Sequence, residues 1–270
     1  MQLTPAQIAE FRELGYLAVP SFFDTRELTA MRKEVQRFLR EGLLRNVATA
    51  GDGQTPATAQ RNLQLCPMYS HSALFRVLPF SDKVRAAVAA LIGHPLQLQL
   101  DQIFLKPARD GSGTNWHQDN AYFQVRDATM GTAMWCAIDD ATVANGTLHV
   151  IPRSFREPLP HSRDPNSDHH IRCYPPEEQA VPVEIPAGGV VFFYYGTPHA
   201  TRGNQTDRDR AAVAYHFVRA DYAPADISAP DRTYHPILTG PQATGGLREY
   251  GVRVEGTWDA EVAQVLARPD

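Results

Sequence analysis

Residues 185–218 read IPAGGVVFFYYGTPHATRGNQTDRDRAAVAYHFV and decide the fold of this chain. Two apolar runs, Val190–Tyr195 and Arg210–Val218, are separated by turn-forming Gly, Pro, Asn and Asp. The first run is typical of a buried strand, and it delivers His199 just past its end. Side chains in the second run alternate between two faces, so that Arg210 heads a face of small residues. An arginine there indicates a pocket in which the guanidinium reaches an anion.

Short β-rich runs of the same kind continue upstream as far as Leu96, including LQLQLDQIFLKP, TAMWCAIDD, TLHVIP and VPVEIP. Turn signals such as Asn145-Gly146 separate them, a spacing that favours a jelly-roll barrel or sandwich. Helix signals dominate before that point: Thr4 and Asp24 are N-cap residues, and a third helix is predicted over Asp82–Ile92. We therefore predict a mainly β protein with flanking helices and a double-stranded β-helix (jelly-roll, cupin-like) core.

The expected organisation is a single domain covering 1–270. It divides into an N-terminal helical segment (1–95), the jelly-roll core (about 96–220) and a C-terminal extension (221–270) with a short helix near Glu261–Leu266. A length of 270 residues is compatible with one all-β domain. Within the core, residues 153–179 are rich in proline and charge and predict an inserted loop.

Composition excludes several function classes. With 43% hydrophobic and 21% charged residues the chain is ordinary for a globular protein, and a net charge of −4 argues against a nucleic-acid partner. We expect no signal peptide and no membrane span, and hence a cytoplasmic location. Cys66, Cys136 and Cys173 are far apart and odd in number, so we expect reduced thiols rather than disulfides.

The segment NWHQDNAYF, residues 115–123, places His117 two residues before Asp119. On a strand these side chains would project from one face and aim an imidazole and a carboxylate at one point, as a metal site needs. Two ligands do not complete a site, and a surface turn with a polar histidine is an equally good interpretation of this tripeptide alone. The third ligand must come from elsewhere in the chain.

Four segments together resemble the phytanoyl-CoA dioxygenase family of iron(II)- and 2-oxoglutarate-dependent oxygenases. They are FRELGYLAVPSFFDTRELTAMRKEV (11–35), FLKPARDGSGTNWHQDNAYF (104–123), MWCAIDDATVANGTLHVIPRSF (134–155) and VVFFYYGTPHATRGNQTDRDRAAVAYHF (190–217). Their order and spacing are those of the family, and the resemblance covers nearly all of residues 8–218.

The resemblance assigns roles to particular positions. It implies that the iron ligands, which are also the catalytic centre, are His117, Asp119 and His199. It implies that Arg210 pairs with the far carboxylate of 2-oxoglutarate, a task suited to the two-pronged guanidinium. Further residues expected to line the cosubstrate pocket are Gln102, Trp135 and Thr201. Asn115, on the same strand face as His117, is a weaker candidate.

The implied cofactors are Fe(II), 2-oxoglutarate as cosubstrate and O2. The implied reaction is hydroxylation of a C–H bond of a small organic substrate with release of succinate and CO2, and the aspartate at position 119 favours hydroxylation over halogenation. Two alternatives remain: a non-redox zinc hydrolase or lyase on the same barrel, and a non-catalytic ligand-binding relative. The chain has Pro152-Arg153-Ser154-Phe155 where many relatives have Pro-Gly-Ser-His, a departure expected at the border of the substrate cavity.

Four other histidines receive less specific predictions. His149 and His216 lie in predicted strands and are expected to be hydrogen-bonded core or pocket residues. His169 and His170 lie in the inserted loop (153–179), where solvent exposure is the expectation, although such loops also act as lids.

Overall fold

The structure, a computed structural model, describes residues 2–224 and 235–269. The helices are α1 (Pro5–Leu14), α2 (Thr25–Arg40), α3 (Ala73–Val77), α4 (Asp82–Ile92), α5 (Asn120–Phe123), α6 (Leu247–Tyr250) and α7 (Trp258–Ala267). The strands are β1 (Tyr16–Val19), β2 (Arg45–Asn46), β3 (Leu63–Leu65), β4 (Leu96–Lys106), β5 (Thr114–His117), β6 (Gly131–Ala137), β7 (Leu148–Val150), β8 (Ser162–Arg163), β9 (Ile171–Arg172), β10 (Val181–Val183), β11 (Val190–Tyr194), β12 (His199–Thr201) and β13 (Arg210–Arg219). The parts of the predicted C-terminal extension at 225–234 and 270 lie outside the described residues.

The first two helices begin where the sequence predicts. The Thr4 side chain accepts the N–H of Gln7, and the Gln7 side chain accepts the N–H of Thr4. Asp24 and Glu27 form the same capping box on α2. Gly15 ends α1 at φ 82°, a left-handed conformation that favours glycine. The chain can therefore turn directly into β1, which joins the large sheet.

Two antiparallel sheets form the core. The large sheet has the strand order β1-β11-β6-β13-β4-β3-β2, and the small sheet has the order β10-β7-β12-β5. Trp135 of β6 and Leu148 of β7 belong to one apolar cluster between the two sheets. This is the predicted jelly roll, and the N-terminal segment adds β1, β2 and β3 to the edges of its large sheet.

Strand β13 shows why the two faces of the large sheet differ. Val213, Tyr215 and Phe217 point into the core that the helices cover, where burying one phenylalanine stabilises by about 2 kcal/mol. On the other face Ala212 and Ala214 pack against the small sheet. Their small side chains leave room for a cavity between the sheets. No helix within 2–224 or 235–269 has the length and apolar content to cross a membrane.

Candidate active site

Two histidines from neighbouring strands and one aspartate converge between the sheets. β5 pairs with β12 in a register that sets His117 opposite His199. One ligand atom from each of His117, Asp119 and His199 lies within 4.8 Å of the others, and all three residues are buried. Asp119 Oδ1 is 3.8 Å from His117 Nε2 and 3.7 Å from His199 Nε2. A shared metal ion fits among these atoms, and the sequence predicted all three residues.

Each imidazole is oriented by a hydrogen bond to the backbone carbonyl of the residue two positions before it. Nδ1 of His117 donates to the carbonyl of Asn115 at 2.8 Å, and Nδ1 of His199 donates to the carbonyl of Thr197 at 3.0 Å. These bonds fix the tautomer in which Nε2 presents its lone pair to the cluster. Burial lowers the pKa of His117 to about 3 and lowers the pKa of His199 as well. Both rings are therefore neutral at physiological pH, as metal ligation requires.

Asp119 reaches the cluster by a different route from the predicted one. β5 ends at His117, and Asp119 adopts a helical conformation with φ −57° and ψ −31° just before α5. The prediction that His117 and Asp119 project from one face of the same strand is therefore wrong. The turn into α5 still brings the carboxylate beside the imidazoles.

The second oxygen of the Asp119 carboxylate faces another histidine. Its Oδ2 lies 3.4 Å from Nδ1 of His216 on β13, and Nε2 of the same ring lies 3.3 Å from Nε2 of Gln102. Burial opposes ionisation of Asp119, but the surrounding imidazoles, with His216 the strongest, hold the pKa of this carboxyl well below its usual range. Oδ1 thus faces the two predicted ligand histidines, while Oδ2 faces His216.

A cavity of about 590 Å³ joins this cluster to Arg210. The guanidinium is fully buried, donates from Nη2 to the carbonyl of Gly146 at 2.6 Å, and lies 5.5 Å from the centre of the Trp135 ring. Its Nε and Nη1 have no hydrogen-bond partner among the residues that the structure describes. Burial lowers the pKa of Arg210 to about 10, so the group stays cationic at neutral pH. Unsatisfied buried donors of this kind fit the carboxylate of a bound acid.

The other predicted pocket residues also line this cavity: Gln102, Trp135 and Thr201. The hydroxyl of Thr201 accepts the N–H of Thr114 at 3.1 Å, which holds it at the junction of β5 and β12. Asn115 lies outside the lining, because its amide donates to both oxygens of Asp164 at 3.0 Å. His149 also lies outside the lining and bonds the carbonyl of Thr147 at 3.2 Å.

The inserted loop (153–179) folds back over the cavity, and the expected solvent exposure is wrong for His170. This residue is buried, and burial, together with His169 and His117, lowers its pKa well below the ordinary value. Its Nε2 lies 3.0 Å from Nε2 of Gln64, and its Nδ1 lies 3.4 Å from the hydroxyl of Tyr122. Sequence reasoning missed Gln64 and Tyr122, because no local pattern shows which loop packs onto β3 and α5.

The segment Pro152–Phe155 does not border the cavity. Phe155 is 4% exposed, packs against Tyr194 at a ring distance of 4.9 Å, and contacts the position of Gly15. None of Pro152 to Phe155 is among the lining residues. In this chain the segment therefore packs in the core next to α1, and its expected place at the border of the cavity is not found in the described lining.

A jelly roll whose cavity holds two histidines and one carboxylate beside a buried arginine defines a class, the non-haem iron oxygenases. The chain belongs to the Phytanoyl-CoA dioxygenase (PhyH) family, whose sequence model matches residues 11–212. It is 24% identical over 238 residues to the ectoine dioxygenase of Halomonas elongata, covering 81% of this chain and 71% of that protein. It is 25% identical over 257 residues to the phytanoyl-CoA dioxygenase of Arabidopsis thaliana, covering 81% of this chain and 90% of that protein.

Solved structures show the same fold. The epimerase SnoN in complex with Fe3+, alpha ketoglutarate and nogalamycin RO superposes with a TM-score of 0.69 at 24% identity, over 88% of this chain and 96% of that one. EctD from S. alaskensis with 2-oxoglutarate and 5-hydroxyectoine superposes with a TM-score of 0.64 at 21% identity. This superposition covers 82% of this chain and 77% of EctD. The predicted family and fold are thereby confirmed. The first of these structures contains Fe3+ and alpha ketoglutarate and the second contains 2-oxoglutarate, while the His–Asp–His cluster of this chain has the ligand atoms that a metal needs.

Proposed function

We propose that this protein is a 2-oxoglutarate-dependent dioxygenase that hydroxylates a C–H bond of a small organic substrate, with release of succinate and CO2. The observation that carries the proposal is that one cavity joins the buried His–Asp–His cluster to the guanidinium of Arg210, whose Nε and Nη1 have no hydrogen-bond partner among the described residues. A ligand that chelates a metal at one end and carries a carboxylate at the other matches both ends.

In this proposal His117, Asp119 and His199 hold the iron, and Arg210 holds the far carboxylate of 2-oxoglutarate. Trp135 forms a wall under the guanidinium, while Gln102 and Thr201 border the same space. When bound, iron and 2-oxoglutarate supply O2 activation coupled to loss of CO2 from the keto acid. The contribution of the chain is to fix three ligands, keep both imidazoles neutral and exclude bulk water from the cavity.

The substrate is proposed to occupy the part of the cavity lined by residues from β3, β4, α5 and the inserted loop. Leu65, Leu100 and Phe123 give this part apolar walls, whereas Tyr122 and His170 offer polar atoms. A free small molecule with an apolar body and at least one hydrogen-bonding group suits such a lining. Hydroxylation is proposed rather than halogenation because Asp119 occupies the third ligand position.

The test is succinate formation by protein purified without oxygen and then supplied with Fe(II), 2-oxoglutarate and O2. The wild type should form succinate, and His117→Ala and Asp119→Ala should lose this turnover. His149→Ala is the matched control, because His149 lies outside the cavity and its removal should leave turnover near wild type. Succinate release at the wild-type rate by Asp119→Ala would contradict the assignment, and retained zinc without O2 uptake would support the hydrolase or lyase alternative.

The reaction outcome needs a second measurement. Incubation with candidate small molecules should yield a product that gains one oxygen atom, detected by mass spectrometry, only when 2-oxoglutarate is present. A 2-oxoglutarate-dependent product of unchanged mass would instead indicate an epimerisation at the same site.

A further inference from the structure

A second buried basic side chain lies directly beside Arg210. In the antiparallel register of β13 and β4, Arg210 is paired with Lys106, so their side chains project from the same face roughly 5 Å apart at Cβ. Lys106 is 2% exposed and lines the same cavity. Like charges directly opposite each other on neighbouring strands destabilise a sheet, and burial makes this worse. Both groups can be charged together only when a compensating negative charge lies beside them.

The compensation within the described residues is incomplete. Asp139 acts on Arg210, and the carboxylate that lines the cavity is Asp119 of the proposed metal cluster. Nζ of Lys106 donates to the backbone carbonyl of Ser112, which offers a dipole but no charge. Among the described residues, the titratable groups found to act on or be affected by Lys106 are Arg210 on β13 and His170 on the inserted loop, and neither supplies a negative charge.

We propose that Lys106 is a second anchoring residue for the far carboxylate of 2-oxoglutarate and that it takes up a proton when this diacid binds. The inference rests on the proposed function and adds a residue and a proton to it. Without ligand, burial and Arg210 lower the pKa of Lys106 well below its usual range, which favours the neutral amine. A carboxylate between the two side chains favours the ammonium form and raises this pKa again.

Proton uptake has a defined sign. Binding favours the protonated lysine, so affinity for 2-oxoglutarate should be greatest below the pKa of Lys106 in the complex and should weaken as the pH rises through that value. A keto acid without the far carboxylate, such as 2-oxobutyrate, engages the metal alone. Its binding should involve no proton at Lys106.

Titration calorimetry on the Mn(II)-loaded protein tests this without turnover. The apparent binding enthalpy is measured in phosphate and in Tris at one pH, and the difference between the buffers gives the protons taken up. We expect uptake of about one proton more for 2-oxoglutarate than for 2-oxobutyrate in the wild type. Equal proton uptake for the two acids would overturn the inference, even though 2-oxoglutarate binds.

Variants separate the lysine from the rest of the site. Lys106→Met should lose the extra proton and weaken 2-oxoglutarate binding on the order of tenfold, while 2-oxobutyrate binding stays the same. Lys33→Met on α2 is the matched control and should behave like wild type. An unchanged affinity and proton count in Lys106→Met would refute the role of this lysine. If Lys106→Met does not fold, the difference in proton uptake between 2-oxoglutarate and 2-oxobutyrate in the wild type is the deciding measurement. Failure of the Mn(II)-loaded wild type to bind 2-oxoglutarate at all would contradict the proposed function itself.

Discussion

His216 lies beside Asp119, so it would act on a metal bound at the proposed cluster only through that carboxylate. Its Nδ1 is 3.4 Å from the Asp119 oxygen that faces away from the two ligand histidines. Groups that orient a ligand in this way typically change metal affinity ten- to a hundredfold when removed. We therefore expect His216→Phe to weaken Co(II) binding roughly tenfold or more. His149→Phe, outside the cavity, should leave Co(II) affinity unchanged, and equal affinities in both variants would show that Asp119 needs no such support.

Replacing Arg210 by lysine distinguishes whether the cosubstrate is held by hydrogen-bond geometry or by positive charge alone. Arg210→Lys keeps a positive charge but loses the donors Nε and Nη1, which have no other partner in the described structure. Losing a hydrogen bond to a charged group costs about 1.5–3 kcal/mol, so the KM for 2-oxoglutarate should rise roughly tenfold or more. Arg109→Lys, an exposed arginine paired with Asp207, is the control for the substitution itself. A KM equal to that of wild type would place the anion elsewhere.

At this scale the sequence predicted most of the proposed site. His117, Asp119, His199 and Arg210 could be found because each stands in a motif with family spacing. His170 and Tyr122 could not be found, since their place in the cavity depends on how the inserted loop (153–179) folds back. Lys106 was hidden for another reason: its importance depends on the strand partner opposite it, which the register of β4 and β13 determines.

The inserted loop (153–179) is an element held by a few polar contacts. The Asp164 carboxylate is 2% exposed and accepts both the Asn115 amide and the N–H of Asn166. Asp164→Ala removes the acceptor of both donors, so we expect faster hydrogen exchange across residues 162–172. Asp52→Ala in an exposed turn is the control. Unchanged exchange in the loop of Asp164→Ala would show that other contacts, such as the Thr49 hydroxyl bonded to the Pro165 carbonyl at 2.6 Å, suffice.

Strand β4 carries a buried acid that makes its junction with the segment before α3 depend on pH. Asp101 accepts the N–H of Met68 at 2.6 Å, and burial raises the pKa of Asp101 from 3.8 to about 6. Its stabilising contribution is present below pH 4 and is lost as the pH rises through about 6. The gap between the two pKa values corresponds to at most about 3 kcal/mol in the free energy of unfolding.

Asp101→Asn removes this ionisation but keeps an acceptor for Met68. Its free energy of unfolding relative to wild type should rise by about 2 kcal/mol between pH 4 and pH 7, measured by urea denaturation. Asp52→Asn is the control, because hydrogen bonds from Thr55 and the neighbouring backbone lower the pKa of Asp52 to about 2 rather than raise it. A difference between Asp101→Asn and wild type that stays constant with pH would show that Asp101 is already ionised at no cost.

Element boundaries were easier to predict than element partners. Caps at Thr4 and Asp24 and the apolar run of α4 are local signals, so helices α1, α2 and α4 begin where the sequence predicts. The short strands β2 and β3 were missed, because two or three residues carry too little periodicity. They matter nonetheless, since β3 supplies Gln64 to the cavity wall.

The whole molecule is tied together at its proposed site. The three metal-ligand candidates come from the region of β5 and from β12 in the small sheet, while Arg210 and Lys106 come from β13 and β4 in the large one. A metal and a diacid bound between them would bridge both sheets, and such a ligand stabilises only the folded state. At a hundredfold excess over Kd this linkage amounts to about 2.7 kcal/mol.

For a chain of this size a gain of that order corresponds to a rise in Tm of roughly 5–10 °C. We expect that rise with Mn(II) and 2-oxoglutarate together, and a smaller one with Mn(II) and 2-oxobutyrate, because the latter cannot reach the large sheet through Arg210. Asp119→Ala should show neither rise, whereas His149→Ala should show both. If 2-oxoglutarate adds nothing to the Tm beyond 2-oxobutyrate, the diacid does not span the two sheets, and Arg210 and Lys106 must be compensated by some other ligand.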